Sequence, residues 1–167
     1  MLVAIFGLPG SGKTTFGKLL AHRLKGIHLN SDIVRSVLNL RSHYDPDSKD
    51  RVYEALFSEV RKQLERGKNV VVDATFHHRA RRDQARELAN QLEVPIFWIE
   101  LRADEKEIRK RITLPRPDSE ADFSVFQLIQ AQMEPMEADH LILRSDLDSM
   151  DQMLGQATEY IGGNQTR

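Results

Sequence analysis

The stretch Gly7-Leu8-Pro9-Gly10-Ser11-Gly12-Lys13-Thr14 matches G-x-x-x-x-G-K-[ST] at every fixed position. Glycines let a backbone curl so that successive N–H groups point at one anion. A helix that follows brings its positive end to the same place. Lys13 then offers a point charge to β- and γ-phosphates, and Thr14 offers a hydroxyl to Mg²⁺. The expected ligand is therefore a nucleoside triphosphate with its metal, ATP and Mg²⁺, held by Gly7, Pro9, Gly10, Ser11, Gly12, Lys13, Thr14 and Thr15. The other reading, a glycine-rich turn with a chance lysine, lacks any reason for the apolar strand before it and the amphipathic segment after it.

Three further groups stand just after apolar runs. Asp32 follows Ile27–Leu29 and has Arg35 one helical turn on. A carboxylate there can take a proton from an acceptor hydroxyl, and the arginine can hold an acceptor's phosphate or carboxylate. Equally, Asp32 can simply cap a helix with Arg35 paired to it. Asp73 follows Val70-Val71-Val72, the pattern of a strand-end carboxylate that reaches Mg²⁺ through a water. The bland alternative is an aspartate ending a strand in a turn. Ala74 comes next, where a water-activating hydrolase would carry glutamate, so transfer to an organic acceptor is favoured over hydrolysis. The last group is Arg109, Arg111 and Arg116, around Thr113-Leu114-Pro115-Arg116-Pro117-Asp118. This reads as a lid, spanning about 109–121, whose arginines meet the nucleotide and the transferring phosphoryl group; a solvated basic helix face is the competing reading.

The elements that must position these residues alternate. Strands are expected at Leu2–Phe6, Ile27–Leu29, Val70–Val72, Pro95–Leu101 and Leu141–Leu143. Helices are expected at 13–24, 31–40, 48–66, 77–92, from Asp104 to the prolines, 121–133 and 149–161, with a frayed tail after them. Ser31 or Asp32 is the expected cap of the second helix. Glu107 is the expected capping-box partner of Asp104. Asp45-Pro46-Asp47 reads as a turn. Phe16, Leu19, Leu20 and Leu24 share one face of the first helix, and Val52, Leu56, Val60 and Leu64 one face of the third. Alternation of this kind implies a three-layer α/β/α fold around a parallel sheet, with ligands beyond the carboxyl ends of the strands.

Composition sets the outer bounds. The chain has 167 residues, enough for one domain, and 40% of them are hydrophobic and 29% charged. A formal charge of −1 leaves no global field for nucleic acid or an anionic membrane. The absence of cysteine excludes disulfides and thiolate metal sites. The first residues carry no basic run of the signal-peptide type, and no apolar stretch is long enough to span a bilayer, so a cytoplasmic location is expected. His77, Arg79, Arg81, Arg82 and Arg86 form a basic cluster that reads as a solvated face rather than a nucleic-acid groove.

The stretches GLPGSGKTT, LNSDIVRSVL, YDPDSKDRVYEAL, VVVDATFHHRARRD and FQLIQAQMEP together resemble a family of small P-loop kinases. These are the AAA-domain kinases grouped with polynucleotide 5′-kinases, gluconate and shikimate kinases and zeta toxins. The resemblance implies a five-stranded parallel sheet of the nucleoside-monophosphate-kinase type and transfer of a γ-phosphoryl group from ATP to a hydroxyl. It implies Lys13 and Thr14 on phosphate and metal, Asp32 as general base and Arg35 near the acceptor. Asp73 falls near the metal or the acceptor, Thr75 and Arg79 line the acceptor pocket, and Arg111 or Arg116 is the lid arginine. The chain departs from the phage-type polynucleotide kinases at Pro115 and Pro117 and at Ala74-Thr75, where they carry threonine and asparagine. The acceptor stays open between a polynucleotide 5′-hydroxyl and a small metabolite. A GTPase-like switch is disfavoured because no Asn-Lys-x-Asp tetrad appears, and a ring-forming motor ATPase because the glutamate and the room for a second domain are missing.

Overall fold

The computed structural model describes residues 1–41, 43, 45–113 and 123–165. In chain order the elements are β1 (Leu2–Phe6), α1 (Lys13–Arg23), β2 (Ile27–Asn30), α2 (Ser31–Val37), α3 (Pro46–Glu65) and β3 (Val70–Asp73). They continue with α4 (Arg79–Gln91), β4 (Ile96–Arg102), α5 (Glu105–Ile112), α6 (Phe123–Gln132), β5 (Leu141–Arg144) and α7 (Met150–Gln165). The five strands form one parallel sheet in the order β2-β3-β1-β4-β5.

Side chains leave a strand alternately to its two faces, and here both faces are covered. Leu2, Ala4 and Phe6 of β1, with Val70 and Val72 of β3, meet Tyr53, Leu56 and Val60 of α3 and Ala85 and Leu88 of α4. Val3 and Ile5, with Val71, Phe97 and Ile99, meet Phe16 and Leu20 of α1 and Met153, Leu154 and Ile161 of α7. This is the expected three-layer fold. Each fully buried side chain of this size removes surface from water worth roughly 1.5–3 kcal/mol. Among the described residues no helix is long and apolar enough to cross a membrane.

Local chemistry set several element ends differently from the sequence pattern. The cap of α2 is Asn30, whose Oδ1 accepts from the N–H groups of Asp32 (2.8 Å) and Ile33 (2.9 Å), so neither Ser31 nor Asp32 serves as cap. Asp45 caps α3 and Pro46 opens it, because proline at the first helical position gives up only an N–H that has no partner in any case. The Asp104 cap is correct, but its own N–H donates to Asp146 rather than to Glu107, which faces Lys110 and Arg111. Leu19 points outward at 43% exposure, so Ala21 takes its place on the inner face of α1. Helix α7 runs on through Gly162 and Gly163 to Gln165.

Candidate active site

The sheet order sets three strand ends side by side: β2 leads into Asp32, β3 ends on Asp73, and β1 opens into the loop 7–12. That loop is shaped by its neighbours as much as by its own glycines. A Cβ on Gly7 would lie 2.3 Å from the carbonyl oxygen of Leu101 at the end of β4, and its φ of +140° is one that other residues avoid. Gly12, at φ +94°, turns the chain into α1. Ile108 and Ile112 of α5 press against Gly10. Ser11 Oγ is fully buried and finds no partner among the described residues, so it is open to a ligand atom that enters the loop. The Lys13 Nζ donates to the carbonyls of Gly7 and Leu8, both at 2.9 Å, and so arches over the loop. Pro9 is buried, and Thr15 is exposed on the first turn of α1.

Under the first turn of α1 lies a compact polar network. Asp73 is only 2% exposed. Its Oδ1 accepts from Asn30 Nδ2 at 2.7 Å and from Thr14 Oγ1 at 3.4 Å, and Asn30 Nδ2 also reaches Thr14 Oγ1 at 3.0 Å. The other carboxylate oxygen meets His28 Nε2. Thr14 and Asp73 thus present hard oxygen donors from two adjoining elements. That suits Mg²⁺, which keeps most of its shell for water and phosphate. Asn30 therefore ties this pair to the helix that carries Asp32. Sequence reasoning passed over His28 and Asn30, since neither lies in a recognisable spacing; Asn30 alone had a signal, standing between an apolar strand and a helix.

Beyond the network, Asp32 is half-buried near the phenol of Tyr53. Burial pushes the Tyr53 phenol up, hydrogen bonding with Thr75 and the Phe76 N–H pulls it back, and the Asp32 carboxylate adds a smaller upward push. Thr75 Oγ1 also shares a hydrogen with His77 Nδ1 at 2.9 Å. Between them Phe76 adopts φ +45°, an unfavourable conformation for a bulky residue. It is held there by its ring packing on Tyr53 and Trp98 and by its N–H on the Tyr53 hydroxyl. His77 is 4% exposed, and burial, with the positive charge of His78 and Lys49, lowers its pKa to about 4.

The arginines divide sharply. Arg111 crosses from α5 to the phosphate loop, donating to Ser145 Oγ and Ser145 O, each at 2.9 Å, and to Gly10 O at 3.4 Å. Ser145 in turn donates to Ser11 O at 2.7 Å, so the turn after β5 is built into the cradle. Arg109 is exposed, pairs with Glu105 and lies over the Phe123 ring at 3.6 Å. Arg116 and residues 114–121 of the expected lid lie outside the described residues. Arg35 is buried and donates to the carbonyl of His43, tying α2 to the segment before α3. Arg79 faces Glu137 and Asp83. Arg82, which the sequence pattern sets on a solvated face, is instead 2% exposed and donates to the carbonyls of Phe76 and Pro135 at 2.8 and 2.7 Å. A guanidinium can satisfy several backbone carbonyls at once, and that is its use here.

Comparison with known proteins agrees with this architecture. The sequence model of a family described as "AAA domain" matches residues 2–136. A shikimate kinase from Enterococcus faecalis is 33% identical over 113 residues, which cover 66% of this chain and 64% of that enzyme, so the match spans less than two thirds of the relative's length. A sugar kinase from Janibacter sp. has a TM-score of 0.75 at 20% identity, over 96% of this chain and 94% of its own. An APS kinase from Mycobacterium tuberculosis, solved with AMPPNP and APS, has a TM-score of 0.75 at 18% identity, over 96% of each chain. These two likenesses speak for the fold. With the family match taking in most of its length, the chain belongs to the AAA-domain family of P-loop kinases.

Proposed function

We propose that this chain is an ATP-dependent kinase that moves the γ-phosphoryl group onto a hydroxyl of a small acceptor. The observation that carries the reading is the Asn30 bridge. One side chain joins the Thr14–Asp73 pair at the phosphate loop to the helix bearing Asp32. In this reading the loop N–H groups and Lys13 bind the phosphates, with Lys13 exchanging the carbonyls of Gly7 and Leu8 for phosphate oxygens. Thr14 and Asp73 hold Mg²⁺, which when bound neutralises charge on the phosphates. Asp32 takes the proton from the acceptor hydroxyl as the hydroxyl oxygen attacks the γ-phosphorus, and the bond from that phosphorus to the β,γ-bridging oxygen breaks so that ADP leaves. Tyr53 and Thr75 border the acceptor, and Arg35 supports that wall through the segment it ties. Arg111 is the arginine that faces the transferring group, and Arg109 with Phe123 borders the nucleotide.

A small acceptor is favoured over a polynucleotide by what the basic residues already do. Arg35 and Arg82 are buried on backbone carbonyls, which leaves exposed Arg79 as the one of these three able to meet a nucleic-acid backbone and speaks for a small acceptor. The relatives are named as kinases of shikimate, of a sugar and of APS, which points the same way. The test is an ATP-consumption screen over sugars, hydroxy acids, nucleosides and 5′-hydroxyl oligonucleotides. A small molecule should stimulate turnover, and Asp32→Asn should lower that turnover by about 10²–10⁴-fold with ATP binding retained. Stimulation by oligonucleotides that weakens steeply with salt would replace the small acceptor by a nucleic acid. Full turnover in Asp32→Asn would remove Asp32 as the base.

A further inference from the structure

We propose that His28 is a positioning residue for the Asp73 carboxylate, and that Gly17 exists to leave it room. The inference rests on the reading of Asp73 as the carboxylate on the metal side. His28 sits on the edge strand β2, in register with Val71, and its imidazole crosses to the end of β3, where Nε2 meets Asp73 Oδ2. A carboxylate can only accept, so the hydrogen is on Nε2. The two oxygens of Asp73 are thereby divided between two tasks. Oδ2 is held by His28, and Oδ1 stays turned to Asn30 and the Thr14 hydroxyl. Without His28, Oδ2 loses its donor and the carboxylate is anchored on its Oδ1 side alone, so the oxygen facing Thr14 is held less firmly.

The neighbouring helix supplies an independent observation. Gly17 lies inside α1, where glycine is destabilising relative to alanine. A Cβ at that position would stand 2.8 Å from His28 Nε2 and 3.0 Å from its Cδ2, with Ile5 Cδ1 at 3.3 Å. The space an alanine methyl would fill is the space the imidazole occupies. Helix α1, edge strand β2 and its neighbour β3 therefore cooperate to bring one N–H to one carboxylate oxygen. Hydrogen bonds of this outer kind orient metal-binding groups, and their loss typically lowers metal affinity 10–100-fold.

The experiment measures metal binding rather than turnover. Mn²⁺ is titrated by electron paramagnetic resonance into the protein saturated with AMPPNP, and AMPPNP binding is measured separately in chelator by calorimetry. His28→Leu removes the donor, Gly17→Ala displaces it, and His28→Gln offers an amide N–H in its place. The expected result is a loss of Mn²⁺ affinity of about tenfold or more in the first two. His28→Gln should recover most of it, and AMPPNP affinity in chelator should be unchanged in all three. Wild-type Mn²⁺ affinity in Gly17→Ala or His28→Leu overturns the proposal, as does an equal loss of AMPPNP affinity in chelator, which would mark His28 as merely structural. Should His28→Leu fail to fold, Gly17→Ala decides, since alanine itself favours the helix. Absence of Mn²⁺ binding in the wild-type protein would overturn the metal assignment and this inference together, whereas failure to find an acceptor would touch neither.

Discussion

Replacing Asn30 tests how one buried amide can hold two elements. In Asn30→Ala the α2 helix loses its cap, a change worth typically about 1 kcal/mol. Asp73, almost fully buried, loses its shortest donor apart from His28, and a hydrogen bond to a charged group contributes about 1.5–3 kcal/mol. Together the loss is roughly 3 kcal/mol. For a domain of this size, 1 kcal/mol moves Tm by about 2–4 °C, so the midpoint should fall by roughly 6–12 °C. Asn30→Asp separates the two contributions. It keeps an oxygen for the N–H groups of Asp32 and Ile33, yet sets a second carboxylate where the amide stood 2.7 Å from Asp73 Oδ1. Thermal and urea unfolding should therefore rank Asn30→Asp no better than Asn30→Ala. An Asn30→Asp protein as stable as wild type would show that capping is the whole contribution and would refute the bridge.

Two more outcomes follow from the same geometry. His77 is depressed to about 4, so between that value and 6.5 the unfolded chain binds a proton that the native protein refuses. Its contribution is intact above pH 6.5 and is lost as pH falls toward 4, up to about 3 kcal/mol in total; His77→Gln, compared with wild type by urea unfolding at pH 7 and 4.5, should lose less stability on acidification, and parallel losses would contradict the assignment. Arg111→Met should lower kcat/KM for ATP by about 10²–10³-fold, with Arg111→Lys intermediate because it keeps the charge but loses the fork; a change within threefold in Arg111→Met would remove Arg111 from the site.

The sequence was most readable where one residue type has one use. Three consecutive valines before Asp73 marked a buried strand, and the glycines with Lys13 and Thr14 marked the phosphate loop. It was least readable where a residue's role depends on a neighbour distant in the chain. Arg82 looks like its exposed neighbours until α4 is set against the backbone at Pro135. Asp104 looks like one half of a capping box until Asp146 arrives to take its N–H. Asn30 and Asp45 show a different limit: several capping residues stood in a row, and only the finished turn decides which oxygen reaches the helix. His28 had no pattern at all, since a lone histidine in a strand gains meaning only from Gly17 and Asp73 across the layers.

The central strand carries a kinetic consequence. Leu2 pairs with Val70 on one side and with Ile96 on the other, both of which follow it far along the chain. Until both partners have emerged, the apolar segment Leu2–Phe6 has no sheet to join, and closing such wide chain separations slows folding. Gly7 acquires its close neighbour only when Leu101 is in place. The nucleotide cradle, although encoded before β4, is thus completed only once β4 has joined the sheet, and a nascent protein halted before that strand should be unable to retain ATP.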